Sequence, residues 1–139
     1  MAAGDYRIGL DGVFYHGPSG AQATSEADNV RNVNLNLSKR TAEAVRRGKK
    51  WVAKKPVVTE ATLEFEIYDI EGDAFLAAVK NAFMNDTRIA FYPTDADSGE
   101  GLDADFYVTN FSRSEANEEF IAYSVTAEPT DEERDPGWV

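Results

Sequence analysis

The residues of this chain that could do chemistry are carboxylates. Glu64 and Glu66 alternate along one candidate strand, and Asp103 and Asp105 along another, so each pair falls on one strand face. Two carboxylates on one face are what a hydrolase of the acid–base type requires. With 25 acidic residues in 139, a solvated acidic face accounts for them equally well. His16, the single histidine, sits in the Gly-Pro segment His16-Gly17-Pro18-Ser19-Gly20, without a second imidazole to share a metal. The acidic run Asp95 to Asp105 invites comparison with a calcium loop. Such a loop needs oxygen ligands at positions 1, 3 and 5, Gly at 6 and a bidentate Glu at 12. Counted from Asp95, those last three positions hold Gly99, Glu100 and Phe106, so the pattern fails. No cysteine is present, which excludes disulfides, thiol catalysis and thiolate metal sites and fits a reducing compartment. The expectation is a protein without enzymatic activity, metal or cofactor.

Charge patterning carries more information. Eight of the fourteen basic residues fall between Lys39 and Lys55: Lys39, Arg40, Arg46, Arg47, Lys49, Lys50, Lys54 and Lys55. Glu43 is the only acid among them, although the whole chain has a net charge of −11. The pI near 4.4 argues against general affinity for nucleic acid, whose phosphates the overall field repels. Segregation of opposite charges makes a surface that attracts copies of itself. Three readings of the basic stretch stand side by side. It can be a solvated loop, a nucleic-acid patch with Trp51 stacking on a base, or a docking arm with Trp51 as its buried anchor.

The elements that position these residues read mainly as strands. Arg7 to Tyr15 reads as a first strand ended by the Gly-Pro segment. From Val30, Val33, Leu35 and Leu37 alternate with Asn32, Asn34, Asn36 and Ser38. After the basic stretch, Leu63, Phe65 and Ile67 alternate with Thr62, Glu64, Glu66 and Tyr68. The pair is expected to be antiparallel and joined by a long protruding loop, residues 39–55. Asp73 to Asn85 changes to helical spacing through Phe75, Leu76, Val79 and Phe83, with Asp73 placed to cap it. Arg88 to Tyr92, broken by Pro93, then Leu102 to Phe111 and Phe120 to Ala127 complete the strands. The acidic, Pro-containing tail 128–139 has the composition of a disordered segment. The expected organisation is a single domain over 1–139. It has no run of about 18 apolar residues to span a membrane and no signal peptide in Met1-Ala2-Ala3-Gly4-Asp5.

The segment Glu100 to Glu115, with Phe120 to Pro129, resembles the C-terminal strand pair of phage tail-tube (major tail) proteins. Asn29 to Ser38 is similar to the strand before their long loop, Arg46-Arg47-Gly48-Lys49-Lys50-Trp51 to part of that loop, and Thr62 to Glu66 to the returning strand. The resemblance spans most of residues 29–129. It implies a tail-tube-like fold of two packed antiparallel β-sheets, sandwich- or barrel-like, with one helix. Six copies would form a ring whose inner sheets close a barrel, and rings would stack into a tube that conducts the viral genome. The implied location is the virion tail, after synthesis in the host cytoplasm. The implied partners are other copies and further tail proteins at the tube ends, with DNA passing through unbound. Within that picture Asn32, Asn34, Asn36, Thr62, Glu64 and Glu66 form the candidate lumen face. Lys39, Arg40, Arg46, Arg47, Lys49, Lys50, Trp51, Lys54 and Lys55 form an assembly loop. Two alternatives are a tube subunit of a contractile injection or secretion system, and a monomeric module whose basic loop binds nucleic acid or an acidic protein.

Overall fold

A computed structural model describes residues 12–95 and 100–139. The elements run β1 (Val13–Pro18), β2 (Ser25–Ala27), β3 (Val30–Ala44), β4 (Ala53–Tyr68), α1 (Ala74–Asn85), β5 (Ile89–Thr94), β6 (Leu102–Ser114), β7 (Ala122–Thr130) and β8 (Gly137–Trp138). The protein is mainly β with one helix among the described residues. Its strands form one ladder in the order β2-β1-β5-β6-β7-β4-β3, with β8 attached to β6, and every pairing is antiparallel.

The ladder does not lie flat. β1 and β4 are four strand spacings apart along it, about 19 Å in a flat sheet. Yet the Phe14 and Phe65 ring centroids are 4.7 Å apart, and Phe65 meets Phe91 edge-on at 5.4 Å. The sheet therefore folds over on itself, and the two layers are halves of one hydrogen-bonded ladder. Leu63, Phe65 and Ile67 of β4 point into the space between, opposite Phe14, Phe91 and Phe106. Helix α1 contributes Phe75, Leu76, Val79 and Ala82 to the same core. Asp73 caps the helix, its carboxylate accepting from the Phe75 and Leu76 amides. Asp73 also accepts from Asn29 Nδ2 at 2.7 Å, and Asn29 in turn donates to the Tyr68 carbonyl. One buried amide thus ties β3, β4 and the helix start together.

Several expectations are corrected. The Gly-Pro segment does not end β1: the strand continues through Pro18, which pairs with Ile89. The part of the expected first strand at residues 7–11 lies outside the described residues. Nor does Pro93 break β5, which runs to Thr94. Its pairing with β6 stops at Phe91 and Ala104, so no β6 carbonyl requires an N–H from Pro93. The chain enters β6 through Gly101, where an added Cβ would lie 1.7 Å from the Pro93 carbonyl oxygen. The acidic tail is folded rather than disordered. Its residues to Thr130 finish β7, Trp138 pairs with Leu102, and Val139 exchanges two 2.9 Å backbone hydrogen bonds with Gly101.

Candidate assembly surfaces

The largest correction concerns residues 39–55. They are not a loop: Lys39 to Ala44 belong to β3 and Ala53 to Lys55 to β4, paired from Lys39↔Thr59 to Ala44↔Ala53 with one register shift between Arg40 and Thr41. Only residues 45–52 form the turn, around Gly48 at φ 78°. β7 covers β4 only from Leu63 to Tyr68. The outer part of the hairpin is therefore a two-stranded ribbon extending beyond the sheet. Three of its cations are partnered within the ribbon. Lys39 Nζ donates to Thr59 Oγ1 at 2.9 Å, Arg40 Nε to Glu60 at 2.6 Å, and Lys54 lies 3.5 Å from Glu43. Arg46, Arg47, Lys49, Lys50 and Lys55 make no ion pair among the described residues. Trp51 is 85% exposed and Val45 82%. The expected loop 39–55 is thus the outer, strand-paired part of a longer hairpin.

Of the candidate lumen residues, Asn34, Asn36, Thr62 and Glu64 lie on one face of the β3–β4 pair. Asn34 pairs with Glu64 and Asn36 with Thr62, and directly opposed residues of an antiparallel pair point the same way. Asn32 departs from the alternation because it sits in a bulge at φ 53°. Its amide still reaches Glu66 Oε2 at 3.1 Å. Val33, expected inward, lies in that bulge and is exposed. Leu35 packs on the core, while Leu37, on the same face but beyond the part of β4 that β7 covers, is 50% exposed. Arg31, absent from the expected set, donates to the same Glu66 oxygen at 2.7 Å and to the Tyr68 hydroxyl, its guanidinium 4.5 Å from the Tyr68 ring centroid. One of the two face glutamates is thereby neutralised.

The face is also wider than expected. Glu64 pairs with Thr126 and Glu66 with Ser124, while Thr126 and Ser124 pair in turn with Asn110 and Ser112. Small amides and hydroxyls thus continue across β3, β4, β7 and β6. The alternation of Ser124 and Thr126 with the buried Tyr123, Val125 and Ala127 was the available signal.

The other chemistry-bearing residues are engaged internally. Asp103 and Asp105 share a face but lie under the tail: Arg134 approaches each at 2.9 Å, and the Gly20 amide donates to both Asp105 oxygens at 3.0 and 3.1 Å. Asp105 is fully buried, and nothing in the alternation of β6 announced its partner thirty residues on. His16 rests on the Phe75 ring at 4.5 Å. Burial holds its pKa below the ordinary histidine value, with Asp73 opposing the shift. Asp95 accepts the Glu100 amide at 3.0 Å, and the rest of the acidic turn, residues 96–99, lies outside the described residues. Among the described residues no group of three His, Cys, Asp or Glu is placed to hold a metal, and no helix is long and apolar enough to cross a membrane.

No protein-family model matches the sequence, and no curated protein matches it closely. Solved structures do match. The tail of an empty gene transfer agent particle, refined with C6 symmetry, aligns with a TM-score of 0.76 at 12% identity, over 96% of this chain and 99% of that one. The SPP1 tail tube aligns with a TM-score of 0.74 at 16% identity, over 96% and 78%. The extended sheath–tube complex of the PVC extracellular contractile injection system aligns with a TM-score of 0.66 at 12% identity, over 99% and 94%. The chain has the fold of tail-tube proteins.

Proposed function

We propose that the protein is a structural subunit of a phage-type tail tube, assembling into stacked rings whose lumen conducts the viral genome, and that it is not an enzyme. The observation that carries this reading is the β3–β4 ribbon. A two-stranded hairpin standing alone in water is marginal, and this one exposes Val45, Trp51, Val57 and Val58. Such a ribbon is stabilised by a neighbour, and β2 and β3, the edge strands among the described residues, offer places where the ladder can continue into other copies. The polar face of Asn32, Asn34, Asn36, Thr62, Glu64 and Glu66, extended by Ser124 and Thr126, is the lumen lining. Neutral amides and hydroxyls with a few carboxylates give passing phosphates little to adhere to. Other tail proteins would close the tube ends, and the assembled protein would reside in the virion tail.

The likeness to the contractile injection system favours a second reading on the same fold, a tube inside a sheath. Negative-stain microscopy of the purified protein tests the shared claim: rings or tubes are expected, and featureless monomers across a range of concentration and salt would overturn it. Sheath protein copurifying with the native particle selects the second reading.

A further inference from the structure

We infer that the basic hairpin tip of one copy seats on an acidic, apolar lip at the opposite end of a second copy's sheet, formed by the β4–α1 and β6–β7 turns. The inference rests on the tube reading and names the contact that would propagate it.

The two ends of the sheet are built from different material. Tyr68 pairs with Ala122, which also pairs with Ser114, so the turns following β4 and β6 lie side by side. The Asp69 amide donates to the Ile121 carbonyl at 2.9 Å and stitches them into one surface. Phe120 stands there 82% exposed, its ring edge-on to Tyr68 at 6.1 Å, with Ile70 50% exposed nearby. Asp69, Glu71, Glu118 and Glu119 surround them, all exposed. The adjoining cations are already committed, Arg113 to Glu115 at 3.2 Å and Arg31 to Glu66 at 2.7 Å. The tip is the inverse: bare Val45 and Trp51 among Arg46, Arg47, Lys49 and Lys50.

From Tyr68 to Ala53 the chain advances about 50 Å along β4 at about 3.3 Å per residue. A single copy cannot bring its tip to its own lip, so their complementarity is usable only between copies. Such a contact is heterologous and propagates as a filament. The acidic C-terminal tail competes less well, because part of its charge is engaged within the chain. Glu132 and Glu133 face Arg88 at 2.8 and 3.7 Å, and Arg134 covers Asp103 and Asp105.

The absence of cysteine makes the test direct. Lys49→Cys and Glu118→Cys are prepared as single variants, assembled alone or mixed, and oxidised mildly. A disulfide needs Cα atoms within about 7 Å, so none can close within one chain between these positions. The mixture is expected to give a covalent dimer that neither variant gives alone. As a second measurement, Glu118→Lys with Glu119→Lys should lower tube yield at least about tenfold. Adding R46E, R47E, K49E and K50E to the same chain should recover most of it. Tubes that form without the mixed crosslink, or that tolerate the lip reversal, overturn the lip while the tube reading stands. Wild-type protein that never forms rings or tubes overturns both.

Discussion

Arg134 and Asp105 show what a single buried pair does in a chain this acidic. Asp105 is fully buried on the outer face of β6, and among the described residues its charge is met by the Arg134 guanidinium and the Gly20 amide. Arg134→Ala leaves that carboxylate uncompensated, and breaking one side of a buried pair costs about 3–5 kcal/mol. The expected result is a lower urea midpoint with an unchanged slope, and faster proteolysis of the tail. His16 has the opposite character, a titratable group folded in its neutral form. Because its folded pKa lies below the unfolded one, the unfolded chain binds the proton more readily. Its contribution is fully present above about pH 6.5, the ordinary histidine value, and is lost as pH falls from there toward the depressed folded pKa. Replacing His16 with Gln should flatten the melting temperature between about pH 7 and 5.5. An unchanged slope would show that burial at Phe75 does not govern the titration.

At the scale of elements, the sequence was readable wherever one face is wet and the other dry. Leu63, Phe65 and Ile67 gave β4, and the apolar spacing with Asp73 gave α1 and its cap. The same test is silent for Thr41-Ala42-Glu43-Ala44, because a ribbon clear of the core has no buried face to impose a period. Charge density there suggested a loop, and only the β-branched run Val57-Val58-Thr59 hinted at strand. Prolines misled for a related reason: Pro93 lies where the ladder to β6 has already ended, and no local signal reports that. Polar-face residues were named from sequence on β3 and β4 but none on β6 and β7, whose alternation was read for the core alone. The ribbon itself gives an element-scale prediction. Replacing residues 45–52 by Asn-Gly, which favours a tight two-residue hairpin turn, should leave the core intact and the melting temperature within a few degrees. Tube formation by electron microscopy should be lost. Tubes of normal length from this variant would mean that the tip takes no part in assembly.

Across the whole molecule, two electrostatic effects oppose each other, and salt decides between them. Copies carrying −11 repel at long range, whereas a basic tip meeting an acidic lip attracts at contact. At about 10 mM salt the screening length is about 30 Å, so whole-molecule repulsion reaches across the approach of two copies. At about 0.15 M it is about 8 Å, which removes most of that repulsion but leaves pairs in contact less affected. Higher salt then erodes the contact pairs themselves, leaving the apolar seating of Trp51. Tube yield measured by sedimentation should therefore rise, pass through a maximum near physiological salt and fall again, rather than decline throughout. Reversing Arg46, Arg47, Lys49 and Lys50 to Glu changes each charge by two and takes −11 to −19. That variant has more repulsion to screen and no attractive pairs to lose, so any assembly it retains should only increase with salt. A wild-type yield that falls monotonically from the lowest salt would show that net repulsion is negligible. A yield indifferent to salt would assign the contact to apolar burial alone.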